Sequence, residues 1–252
     1  IAAMSASGKY GDTEICAGIV GFADLTMGAS VEEVLNLQTL AGGSRFKGIR
    51  YGAGYDPSPH INNSHTNPPP GIYNNRNFRE GFAKLKQFDL SFEAWLYHPQ
   101  IDDVISLARD FPAQPIVLNH FGGPIGIGPY RNKRDQIFTE WKQSIQALSK
   151  CPNVFAKLGG LGMVLNGYQF ETNSTPPSSL ELAELWSPYF ETTIEAFGTN
   201  RCMFESNFPV DKVTSTYAVY WNCFKRIAQN ASTGEKQQLF HDTAKRFYRL
   251  QV

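Results

Sequence analysis

The sequence predicts a parallel α/β fold, and three observations point to it. Short apolar runs alternate with segments of helical spacing. Most of these runs are continuously apolar rather than alternating, as expected of strands buried on both faces. The β-α order repeats six times and ends in a helix, which implies parallel strands joined by right-handed crossovers. Either a doubly wound sheet or a (β/α) barrel satisfies that order.

The strand-like runs are residues 15–25 (ICAGIVGFADL), 46–51 (FKGIRY), 91–97 (SFEAWLY), 115–120 (PIVLNH), 154–160 (VFAKLGG) and 201–207 (RCMFESN). Between them, apolar side chains recur with helical period. Val31, Val34 and Leu35 share one face with Gln38, Phe78, Phe82 and Leu85 another, and Val104, Ile105 and Ala108 a third. Ile137, Phe138, Trp141, Ile145 and Leu148 form the clearest stripe. Helices are also expected over 180–197, interrupted near Pro188, and over 214–229. The last helix opens on Ser232-Thr-Gly-Glu235, a capping box, and carries Leu239, Phe240, Ala244 and Phe247. No G-x-G-x-x-G and no G-x-x-x-x-G-K-[ST] is present, so a nucleotide-binding sheet loses weight. Six strands are two short of a closed eight-stranded barrel, and two further β-α units upstream would complete the count.

Composition narrows the function classes. The chain has 252 residues, 23 basic and 23 acidic, and no formal net charge. A nucleic-acid surface usually shows as a basic excess, so none is expected. Hydrophobic residues make up 42%, enough for a packed core. No apolar run approaches the ~18 residues of a membrane span. Cys16, Cys151, Cys202 and Cys223 form no C-x-x-C pair and read as reduced, buried side chains of a cytoplasmic protein. The chain opens on Ile1, with part of the natural protein expected upstream. A single domain over 1–252, incomplete at its N-terminus, is the expected organisation, with oligomeric state open.

Polar residues gather at the ends of the strands. Arg50 and Tyr51 close the second run, His98 follows the third, Asn119 and His120 close the fourth, and Lys157 lies in the fifth. Glu205 and Asn207 close the sixth, with Asp211 just beyond. In a parallel barrel these positions converge on one pocket. Any one of them alone reads as a satisfied structural residue; polar ends on five apolar strands read as a site, because burying them without a role costs free energy. The loop over 55–75, rich in Pro, Asn and Ser, is long enough to be functional and carries His60 and His65 as candidate substrate contacts. Their spacing fits no strong metal template. A second loop, 169–179, lies on the same face, and His241 is taken as structural.

The stretches FKGIRY, SFEAWLYHPQ, IVLNHFGGP, NVFAKLGGLGM and RCMFESNFPVDK, in this order and spacing, resemble the amidohydrolase-related (amidohydrolase 2) family. AGIVGFADL extends the resemblance towards the N-terminus. It implies a distorted (β/α)8 TIM-type barrel with its pocket at the strand C-termini, and activities among lactonases, other hydrolases of cyclic esters and decarboxylases. ICAGIVGFADL would be the family's third strand, leaving the first two β-α units, and the H-x-H pair of the first strand, outside this chain. Two departures bear on chemistry. Asn119 stands where the family often has Asp before His120, and Ser206-Asn207-Phe208-Pro209 replaces S-D-W-P. An amide cannot take up a proton at neutral pH. Glu205 stands two residues earlier, where the family usually has Gly, and two steps along a strand keep the same face.

The resulting expectation is a hydrolase of a small carboxylated or sugar-derived lactone, ester or amide. Glu205 takes over proton transfer, or else pairs with Lys157 or Arg50. His120 or His98 polarises the carbonyl, and Asn207 belongs to the catalytic group. Arg50, Tyr51, Lys157, Asn119, Asp211 and His65 contact the substrate. A divalent metal such as zinc is weakly supported without the H-x-H pair and with Asn207 in place of Asp. A decarboxylase and a non-catalytic ligand-binding barrel are the competing readings.

Overall fold

The computed structural model describes residues 3–4, 7–9, 11 and 15–251. Six parallel strands form one sheet in sequence order. They are β1 (Ile19–Gly21), β2 (Phe46–Gly52), β3 (Ser91–Trp95), β4 (Ile116–Leu118), β5 (Val154–Leu158) and β6 (Cys202–Phe204). The helices between them are α1 (Val31–Gly42), α2 (Arg76–Lys84), α3 (Ile101–Asp110), α4 (Arg134–Leu148) and α5 (Ser179–Phe197). After β6 come α6 (Tyr217–Ile227), α7 (Thr233–Gln237) and α8 (Thr243–Tyr248). A parallel sheet with flanking helices, in consecutive strand order, is consistent with an incomplete (β/α)8 barrel.

The continuous apolar runs are explained by burial of both sheet faces. One face, with Ile49, Phe92, Ile116, Leu118, Ala156, Leu158, Cys202 and Phe204, joins the main core against the helices. The other carries Val117 and Met203, which pack with Phe247 of α8 in a smaller cluster. On that second face the strands also hold Arg50, Glu93 and Lys157.

The sequence signals at helix ends act as expected. Asn75 accepts the Phe78 N–H at the start of α2, and Ser178 and Ser232 form reciprocal capping boxes with Glu181 and Glu235. Two expectations are corrected. α5 runs unbroken through Pro188, held by buried Leu182, Trp186, Tyr189 and Phe190. Packing there outweighs the backbone hydrogen bond that proline forfeits. The sixth strand stops at Phe204, so Glu205 and Asn207 lie beyond it, and Asn207 adopts a left-handed φ of 51°. The argument that they share a strand face does not apply.

The loop over 55–75 is tied down rather than loose. The Gly54 N–H donates to Ser64 Oγ at 3.0 Å, and Tyr130 donates to Asp56 at 2.7 Å. Among the described residues, no helix is long and apolar enough to cross a membrane.

Candidate active site

A carboxylate the sequence did not single out organises the site. Glu93, in the middle of β3, has a side chain only 2% exposed. Its register partner on β2 is Arg50, whose Nε donates to Oε2 at 2.9 Å and whose Nη2 lies 2.8 Å from the same oxygen. Lys157 of β5 donates to Oε1 at 2.8 Å, Asn119 Nδ2 to Oε2 at 3.1 Å, and the Tyr248 hydroxyl also reaches Oε1. Burial alone would raise the Glu93 carboxyl, but the Lys157 and Arg50 charges hold it well below the usual carboxylate range. Burial likewise acts against the charge on Arg50, and the Glu93 and Glu205 carboxylates together more than restore it.

Lys157 links this hub to a second pair. Its Nζ lies 3.5 Å from Glu205 Oε2, while Glu205 Oε1 stands 2.5 Å from His120 Nδ1. Those last two atoms approach off the hydrogen-bond direction, and among the described residues neither has a hydrogen-bond partner. Burial disfavours the Glu205 carboxylate, yet His120 and then Lys157 bring its pKa down to about 2. Glu205 is therefore ionised at neutral pH, with a side chain 15% exposed. The Trp95 ring meets the His120 ring edge-on at 4.9 Å.

The structure thus brings together Arg50, Asn119, His120, Lys157 and Glu205, with Glu93 at their centre. A cavity of roughly 540 Å³ opens onto Arg50, Glu93 and Lys157, bounded by Phe22, His65 and Tyr248. His65 is accordingly on the cavity wall, its ring 5.9 Å from that of Phe22.

Four expected residues lie outside this group. His98 Nδ1 accepts the Ile125 N–H at 3.2 Å, and its ring packs on Tyr130. Burial lowers the His98 pKa to about 4. Tyr51 points its ring to the helix side of β2, against Phe78 and Phe22. Asn207 donates to Asp211 Oδ1 at 2.7 Å, and Asp211 Oδ2 accepts the Gly162 N–H at 3.3 Å. Those two residues brace the loops after β6 and β5. Burial raises the Asp211 pKa to about 7.

A metal ion finds no ready set of donors here. Among the described residues no three His, Cys, Asp or Glu side chains are grouped to hold one. In the charged cluster, His120 and Glu205 are turned towards each other, and both carboxylates already face Lys157. The described residues do not by themselves fit a metal.

Comparison with known proteins agrees with the architecture. The chain is 35% identical to the protein y4mH of Sinorhizobium fredii over 237 residues, covering 92% of this chain and 70% of that one. It is 23% identical to an L-fucono-1,5-lactonase of Burkholderia ambifaria, covering 94% and 72% of the two chains. Among solved structures, an amidohydrolase from Burkholderia multivorans with bound zinc superposes with a TM-score of 0.74 at 23% identity, covering 93% of this chain and 74% of the other. The amidohydrolase family profile matches residues 13–250, and the chain belongs to that family.

Proposed function

We propose that the chain carries the active site of a hydrolase that opens a small carboxylated or sugar-derived lactone, ester or amide by attack of water on its carbonyl. The observation that carries this reading is the His120–Glu205 contact at 2.5 Å beside Lys157. A histidine held by an ionised carboxylate is an acid–base pair of the kind that activates water. The carboxylate fixes the ring and stabilises the imidazolium formed when His120 takes the proton. Lys157 and Arg50 supply donors for a substrate carboxylate or for the developing oxyanion. Arg50 is 37% exposed and borders the cavity even though two of its donors are engaged by Glu93. The L-fucono-1,5-lactonase of Burkholderia ambifaria among the relatives supports a lactone as the first substrate to try.

We read the six parallel strands as an arc of an eight-stranded barrel. Among the described residues, β1 and β6 each pair with one neighbour, and two more strands would close the circle.

Ring opening of a lactone at neutral pH releases a proton from the new carboxylic acid, so a pH indicator follows it directly. A panel of sugar lactones, carboxylated lactones, aryl esters and amides is incubated with the protein, with metal content measured on the same samples. Turnover of at least one lactone or ester, lost in His120→Ala, is expected. Absence of turnover across the panel, with carbon dioxide released from an aromatic acid instead, would replace this reading with a decarboxylase. Binding without turnover of any kind would replace it with a ligand-binding barrel.

A further inference from the structure

We infer that Gly159 and Gly160 are positioning residues whose missing side chains let His120 and Glu205 come into contact. The inference rests on the acid–base reading of that pair, and its geometry can be tested without a substrate.

The two glycines follow β5 directly, and each faces one member of the pair. A Cβ added at Gly159 would overlap the backbone carbonyl oxygen of Glu205 and lie 2.7 Å from its Cγ. A Cβ added at Gly160 would lie 2.7 Å from His120 Cβ and 2.8 Å from both Cγ and Nδ1. Folded proteins essentially never show such separations, so His120 or Glu205 would have to move. Gly160 also has a φ of 89°, which a residue bearing a Cβ adopts only at a cost. The consecutive glycines form a notch just wide enough for an imidazole on one side and a glutamate stem on the other.

His120 cannot evade a filled notch by a small backbone shift, because its own segment is fixed. His120, Phe121, Gly122 and Gly123 have φ of 53°, 57°, 68° and 53°, a left-handed turn that is unfavourable for its first two residues. The buried Trp141 indole donates to the Phe121 carbonyl at 2.6 Å, and the His98 N–H donates to the Gly123 carbonyl at 3.2 Å. The turn presents His120 from one side, and the notch receives it from the other. With the ring so held, Nδ1 meets the ionised Glu205 oxygen at 2.5 Å. An anionic oxygen at that distance favours the tautomer with the positive N–H on the nearer nitrogen, so we assign the proton to Nδ1 and leave Nε2 as the basic nitrogen.

The test reads that proton. The protein has five histidines, few enough to assign in a nitrogen-15 imidazole correlation spectrum. At pH 9, wild-type His120 is expected to carry its proton on Nδ1. His98, whose Nδ1 accepts the Ile125 N–H, shows the opposite tautomer in the same spectrum. In Gly160→Ala, His120 is expected to lose its Nδ1 preference and move towards the Nε2–H form usual for a free imidazole. The kcat on any lactone turned over by the wild type is expected to fall by about 100-fold or more, with KM little changed. Gly234→Ala, where an added Cβ meets nothing within 4 Å, is the control and leaves both readouts unchanged.

A folded Gly160→Ala protein with His120 still protonated on Nδ1 overturns the inference. Should that variant not fold, Gly159→Ala is read by the same criterion. If neither folds, the wild-type tautomer decides, and a proton on Nε2 refutes the inference. An altered tautomer in a protein that turns over nothing on the panel upholds the notch and rejects only the hydrolase reading.

Discussion

Lys157 Nζ and Glu93 Oε1 lie 2.8 Å apart although their strands are separated by β4. The contact spans the sheet face opposite the main core. It ties β5 to β3, and through Arg50 to β2, in a single charged layer. Glu93 is therefore the residue on which the arrangement of the cations depends.

Removal of that charge leaves Arg50 without its carboxylate partner and Lys157 with Glu205 alone. Breaking a buried ion pair by deleting one partner costs about 3–5 kcal/mol. Arg50 keeps contact with water, which places Glu93→Gln near the lower end, about 3 kcal/mol. Urea unfolding at pH 7 measures it. A loss below about 0.5 kcal/mol would show that Glu93 is not the hub.

Glu205→Gln separates orientation from proton chemistry. The amide has nearly the same shape but cannot stabilise an imidazolium on His120. A fall in kcat of about 100- to 10,000-fold with KM within a few-fold is expected. Retained turnover would mean that Glu205 only balances the Lys157 charge. Lys157→Met is expected to act differently, raising KM for carboxylated substrates more than for neutral ones, because it removes a binding cation.

His98 makes a prediction on the acid side. Burial holds its folded pKa at about 4, below the 6.5 of an unperturbed histidine. The imidazole is therefore neutral in the fold. A depressed pKa contributes stability above about 6.5 that is lost as pH falls through 6.5 towards 4. The loss is on the order of 2–3 kcal/mol by pH 4.5. Comparison of wild type with His98→Gln in urea at pH 7 and pH 4.5 isolates it. An equal pH effect in both proteins would count against a buried neutral His98.

Much of this arrangement was legible in the sequence, for a physical reason. Strands buried on both faces must be apolar throughout, so Arg50, Lys157 and His120 stood out as exceptions. Glu93 escaped notice because it lies inside SFEAW rather than at its end. The signal was there: a carboxylate between Phe92 and Ala94 must be buried if its neighbours are, and a buried carboxylate demands cations. His98 misled in the opposite way. It follows a strand, but the chain has already turned into the short helical segment His98–Gln100, which aims the ring at Tyr130. Asn207 misled because the strand ends three residues before it, so its direction followed the loop and its bond to Asp211.

Asp211 gives the alkaline counterpart. Its side chain is fully buried, and burial raises its pKa from 3.8 to about 7, against the hydrogen bonds from Asn207 and Gly162 that favour the carboxylate. A carboxyl whose folded pKa lies above its unfolded value contributes stability that is complete below about 3.8 and is lost as pH rises through 7. The full effect is on the order of 4 kcal/mol. Asp211→Asn cannot ionise and should not show it. Stability of both proteins is measured by urea unfolding from pH 4 to pH 8, and the difference between them is taken at each pH. Wild type minus variant should fall steadily over that range, which also cancels groups common to both, Glu205 and His98 included. A difference that stays flat or rises with pH would mean that the two hydrogen bonds outweigh burial and that Asp211 is ionised throughout.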